Sequence, residues 1–292
     1  MNFQQTQITP LYSGPESITC VHVFEQNIYL GMRSGLLKVI SSFNFISQDI
    51  QFDSCIISVD QLGPTILVGT QSGLFQVDSS LQKYVRVFPN LKFISKIHLL
   101  NENQALVSAQ SGWRYPELPQ QSRLEYQERV PGWVIYNLDL KFMRVNSQTE
   151  PMSTGGYFCV HKDQLLVPLN AAVERDFYCI FSFKNNFALL NRGPGIDCTS
   201  APISCSFTEE EFTISFNKET AVYKQFALNL KSGTIFQSRT ARFTVRSGKV
   251  KAQFFGKKKE VEIDLGAEIE IVAGHDGGLV AANGQEAVWV QY

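Results

Sequence analysis

Four side chains with shared chemical potential are His22, Asp60, His98 and His161, each following Val or Ile at the end of a short apolar run. Imidazoles and a carboxylate converging from several strands could bind a transition metal, and His275 could join them. A channel-based enzyme or metal protein is therefore one reading of the chain. The other is structural, because a polar side chain beside a tight turn commonly reaches backbone or water.

Two further stretches carry chemistry. From Arg239 to Lys259 there are eight Lys or Arg and no Asp or Glu, with Phe243, Phe254 and Phe255 interleaved. Arg242, Arg246, Lys249, Lys251, Lys257, Lys258 and Lys259 could track the phosphates of a nucleic acid or of anionic lipid head groups. Strand alternation places Arg242, Thr244 and Arg246 on one face, which also suits a solvated outer sheet that deters edge aggregation. A polar, proline-bearing insertion from Gln110 to Pro131 holds Trp113, Arg114, Tyr115 and Tyr126, residue types enriched at the anchors of protein interfaces. Such a loop either binds a protein partner or folds its aromatics onto the adjacent structure.

No Gly-x-Ser-x-Gly elbow, His-Glu-x-x-His pair or phosphate loop ending in Gly-Lys-Ser/Thr occurs, so no cofactor is expected and nothing argues for catalysis.

The elements that would position these residues repeat. Asn27-Ile-Tyr-Leu-Gly-Met-Arg-Ser-Gly-Leu-Leu-Lys-Val-Ile40 matches Thr65-Ile-Leu-Val-Gly-Thr-Gln-Ser-Gly-Leu-Phe-Gln-Val-Asp78 at an offset of 38 residues, and Gln104-Ala-Leu-Val-Ser-Ala-Gln-Ser-Gly112 is a third copy about 39 further on. A period near 40 is that of four-stranded propeller blades. Blades are expected over about 17–50, 54–89, from Phe93 with the insertion, 156–191 and 203–238. Strands at 242–246, 250–255 and 260–265 make a sixth that shows no clear innermost strand. The last three strands, from Glu268 to Tyr292, lack an outer fourth, which the isolated run Ile8 to Tyr12 would supply. Seven blades is the count, and six the alternative. No sustained apolar period of 3.6 argues for long helices.

The 292 residues hold 26 basic and 27 acidic side chains, so no global field draws the protein to nucleic acid or membrane. The six cysteines, Cys20, Cys55, Cys159, Cys179, Cys198 and Cys205, form no Cys-x-x-Cys pair and read as reduced core thiols. No leader-like start, membrane-length apolar run or Asn-x-Ser/Thr acceptor appears, which makes a cytoplasmic setting the expectation.

Val-Gly-Thr-x-x-Gly-Leu between two strands, at Val68 to Leu74, resembles the blades of the citron homology domain, a WD40-like seven-bladed propeller. The resemblance covers mainly the first three blades and rests on turn glycines and strand apolars. The Trp-Asp dipeptide of typical WD40 repeats is absent, since Trp113, Trp133 and Trp289 precede Arg, Val and Val. The resemblance implies an interaction platform in vesicle tethering or signalling, with a small GTPase or other subunits of a complex as partners. It transfers no functional residue. The expectation is an all-β, single-domain propeller over 1–292 that acts as a non-catalytic scaffold or adaptor.

Overall fold

A computed structural model describes residues 7–111, 132–152, 156–169, 178–193, 202–209, 211–216, 219–224, 227–255, 260–266, 268–275 and 277–291. The described chain is all-β. The first strand, β1 (Gln7–Ser13), belongs to the last blade. Blade one is β2 to β5 (Ile18–Phe24, Asn27–Met32, Leu36–Ser41, Ser47–Gln51), and blade two is β6 to β9 (Ile56–Leu62, Thr65–Thr70, Leu74–Val77, Tyr84–Val87). Blade three is β10 to β13 (Ile94–Asn101, Gln104–Ser111, Gly132–Asp139, Arg144–Gln148). Blade four is β14 to β17 (Cys159–His161, Gln164–Pro168, Tyr178–Ser182, Ala188–Gly193). Blade five is β18 to β21 (Ser204–Phe207, Glu211–Phe216, Glu219–Lys224, Ala227–Ser232). Blade six is β22 to β25 (Thr234–Gln237, Ala241–Arg246, Lys249–Phe254, Glu260–Asp264). The seventh, β26 to β28 (Ile271–His275, Gly278–Asn283, Glu286–Gln291), is completed by β1 in the order β1-β28-β27-β26. Seven antiparallel four-stranded sheets thus form a seven-bladed propeller, closed by the N-terminal strand as the sequence leads one to expect. Among the described residues no helix is long and apolar enough to cross a membrane.

One boundary differs from the sequence reading. Thr234–Gln237, which the repeat spacing assigns to blade five, is the innermost strand of blade six. Only Gly233, at φ +107°, separates it from β21. A change of blade at one left-handed glycine leaves no polar loop to mark it.

Burial falls from the inner to the outer strands of a blade: β7 is wholly buried, whereas the outermost β5 and β17 are largely exposed. The core lies between blades. Leu67 and Leu74 of blade two pack with Ile94, Leu99 and Val107 of blade three, and Tyr29 and Leu37 of blade one with Ile56 and Val68 of blade two.

A repeated hydrogen bond fastens neighbouring inner strands. Thr19 donates its hydroxyl to Ile56 O (2.5 Å), Ser58 to Ile94 O (3.1 Å), Ser95 to Gly156 O (2.9 Å) and Ser204 to Ile235 O (2.5 Å). The repeat glycines serve the same seams. A Cβ on Gly31 would stand 2.7 Å from Ile56 Cγ2, and one on Gly69 would stand 2.6 Å from Ile94 Cγ2, so the next blade's isoleucine fills the space. The third repeat has Ser108 in this register. There the next blade supplies the glycine, Gly156, whose Cβ would meet Ser95 Oγ at 2.2 Å.

Strands alternate in direction within a blade. The hairpins between first and second strands therefore open on the same face of the ring as those between third and fourth strands, here termed the hairpin face. Those between second and third strands open on the other.

Candidate functional site

On the hairpin face three of the four predicted channel residues come together, and an unanticipated guanidinium joins them. Asp60 on β6 accepts the Leu99 backbone N–H of blade three (2.6 Å) and Arg239 Nη2 of blade six (2.5 Å) through one oxygen, Oδ2. His22 on β2 approaches its other oxygen at 3.5 Å. That separation suits an ion pair, yet His22 Nε2 also accepts the Gln61 N–H at 3.3 Å, which only a neutral ring nitrogen does. Burial pushes the His22 imidazole from its ordinary value down to about 4, with Asp60 opposing and Arg239 and Lys96 reinforcing. His98 on β10 is likewise lowered to about 4 by burial, under the same charges. Both rings are therefore neutral near pH 7.

Chemically the cluster is a strut. Asp60 joins blades two, three and six, and Arg239 supplies the positive charge a metal ion would bring. Among the described residues no group of three or more His, Cys, Asp or Glu is placed to hold a metal ion. His161 lies apart, against Phe207 of blade five (5.7 Å between rings), and His275 accepts the Gly277 N–H through Nδ1 and lies near Trp289. Arg239 sits in the hairpin after β22, so its place was hidden while that strand was counted with blade five. Lys96, two residues before His98 on the channel wall, was also missed.

The basic stretch meets carboxylates from outside its own interval. Arg242 pairs with Glu211 of blade five at 2.5 Å with both side chains largely buried, and also reaches Gln253 Oε1. Lys249 and Lys251 face Asp264 (3.5 Å) and Glu260 (2.9 Å) on the adjacent β25, and Arg246 is exposed. Lys257, Lys258 and Lys259 lie outside the described residues, as do Trp113, Arg114, Tyr115 and Tyr126. The strands flanking that insertion, β11 and β12, end and begin on the side opposite the hairpin face.

The hairpin face carries a second feature, in the turns between third and fourth strands. Phe45, Leu81, Met143 and Phe187 in blades one to four all adopt positive φ (58°, 59°, 51° and 56°). That conformation costs a bulky L-residue roughly 1 kcal/mol or more, and Asn or Gly would fit it better. In blades two and four burial offsets the cost, since Leu81 packs on the core beneath and Phe187 is buried. In blades one and three it does not: Phe45 and Met143 are 40% and 47% exposed, beside Phe43, Ile46 and Phe142 at 81%, 65% and 66%. Phe142 is flanked by Lys141 Nζ and the Arg144 guanidinium, each 5.5 Å from the ring. Next to this turn a cleft of about 580 Å³ opens between blades three and four, lined by Gln104, Asn137, Asn146, Lys162 and Lys184. Sequence reasoning passed over these turns. The available signal was a bulky apolar residue where a hairpin normally carries Gly, Asn or Asp.

In sequence the chain matches no family model and no curated protein. In fold it is similar to the crystal structure of the computationally designed Ika8 protein (TM-score 0.62, 10% identity, 96% of this chain and 97% of that one). It is also similar to BamB from Moraxella catarrhalis (TM-score 0.58, 13% identity, 94% and 85% covered). At these identities the likeness is one of architecture.

Proposed function

We propose that the protein is a non-catalytic scaffold or adaptor that binds a protein partner on its hairpin face, at the outer turns of blades one and three. The observation that carries this reading is the pair of exposed, left-handed apolar residues Phe45 and Met143, which folding alone does not reward. A partner that covers them supplies the burial that Leu81 and Phe187 obtain from their own blades. Arg144 and Lys162 already face Asp139 (3.4 Å) and Glu209 (2.9 Å), which leaves Lys141, Lys184 and the amides of the cleft to favour a partner with an apolar anchor next to acidic or backbone acceptor groups. A small GTPase or a subunit of a cytosolic trafficking or signalling complex, the partners implied by the citron-homology-like repeat, remains the proposed class. The insertion carrying Trp113, Arg114, Tyr115 and Tyr126 is a second proposed contact, on the other side of the ring.

The experiment uses two variants in parallel. Phe45→Asn with Met143→Asn keeps residues that tolerate positive φ, so the melting temperature should hold or rise slightly while affinity for a partner captured by the wild type falls about tenfold or more. Trp113→Ala with Tyr115→Ala tests the insertion in the same way. If the turn variant retains every wild-type partner at wild-type affinity, the hairpin-face reading is wrong. Loss confined to the insertion variant moves the site to the opposite side.

A further inference from the structure

The seam between blades four and five breaks the hydroxyl pattern. Where Thr or Ser joins the other fastened inner strands, Cys159 on β14 directs Sγ to Cys205 O on β18 at 2.6 Å. The acceptor residue is itself a cysteine, and the two sulfur atoms are 3.0 Å apart. Cys159 is half-buried on a channel-lining strand, whereas Cys205 is 4% exposed. We propose that Cys159 and Cys205 form an oxidant-responsive thiol pair, which a hydroperoxide converts to a disulfide that locks blade four to blade five.

The chemistry balances with one equivalent of hydroperoxide. The Cys159 sulfur attacks the terminal peroxide oxygen; the O–O bond breaks, the thiol proton passes to the departing oxygen, which leaves as alcohol or water, and Cys159 becomes a sulfenic acid. Cys205 Sγ then attacks the Cys159 sulfur, the S–O bond breaks, and the hydroxyl departs as water with the Cys205 proton. Two thiols lose two electrons and two protons, and the peroxide is reduced. The roles follow from placement, since the more accessible thiol meets the oxidant and the buried one resolves it. Burial raises the Cys205 thiol well above its ordinary range, so it is a poor first nucleophile. A disulfide needs the sulfurs to close by about 1 Å, to roughly 2.05 Å, a movement within reach of small side-chain rotations. The remaining described cysteines serve as internal controls. Cys20 and Cys55 also lie on neighbouring blades, but Cys55 Sγ is engaged with its neighbour Ile56 O (3.5 Å).

The test treats the reduced full chain with a slight excess of hydrogen peroxide and maps peptides without reduction. The expected product is intact protein lighter by two hydrogens, with the peptides of Cys159 and Cys205 joined and a higher melting temperature that a thiol reductant reverses. Cys159→Ser keeps a donor for Cys205 O, as Ser does at other seams, so it should fold with wild-type stability and show no peroxide-dependent shift. Stable over-oxidation of Cys159 without the cross-link overturns the proposal, as does a disulfide between Cys20 and Cys55 forming first.

Discussion

Neutral imidazoles in a charged channel make stability depend on pH in a definite direction. The unfolded chain protonates His22 and His98 near pH 6.5, whereas the folded chain does so only near 4. Between those values the unfolded state binds more protons, so stability is present above this window and is lost as pH falls through it. Lowering the pH from about 7 to about 5 should cost roughly 2 kcal/mol in all, allowing for screening by channel water. His98→Gln should flatten the dependence, and identical wild-type melting curves at the two pH values would contradict the assignment. The repeat glycines give a second expectation at this scale. Gly69→Ala sets a methyl 2.6 Å from Ile94 Cγ2 in a closed seam and should lower the unfolding free energy by about 1–3 kcal/mol in urea titrations. Gly73→Ala meets first the end of the Arg86 side chain, whose guanidinium would have to yield its bonds to Ser72 O and Pro89 O, and should cost less than Gly69→Ala; equal effects would remove the packing explanation. His22, Asp60 and His98 were picked out from the ends of the first strands, whereas Arg239 and Lys96 beside them were not. What they do there was not legible, because Arg239 lies 179 residues from Asp60 and no local pattern announces the contact.

At the level of strands, legibility followed turn chemistry. Blades one to three carry Ser-Gly or equivalent breaks between β-branched runs, and their strands fall where the sequence puts them. Blade six lost its inner strand to blade five because Gly233 alone divides β21 from β22. The closing strand was legible through a deficit, three C-terminal strands wanting a fourth. In β1, the chain from Gln7 to Pro10 pairs with Gln291 to Val288, and after a bulge Tyr12 and Ser13 pair with Ala287 and Glu286. Leu11 and Tyr12 pack on the cluster that holds Trp289 and Val280. Deleting residues through Tyr12 should expose the β28 edge, reduce stability by several kcal/mol and promote aggregation. A truncated chain that melts within a degree or two of the intact one would show that β1 is ornamental.

For the whole ring, the period near 40 residues together with short apolar strands and turn glycines was enough to read a propeller, with seven blades as the count and six as the alternative. The working face was not readable that way. It depends on which turns share a side of the ring and on which of four equivalent left-handed residues fails to find cover, and both are properties of the assembled circle. Periodicity likewise predicts equivalent seams but not that one of them joins two thiols. The closure by β1 and β28 also bears on how the protein is made. Of the ring's own strands β1 is made first and waits longest for its neighbour, because its ladder requires Glu286 to Gln291. The ring therefore keeps an open edge until β28 has been made, and its ladder with the largest separation along the chain forms last. The contact of Arg239 with Asp60, by contrast, joins blades six and two without any residue of β1 or β28.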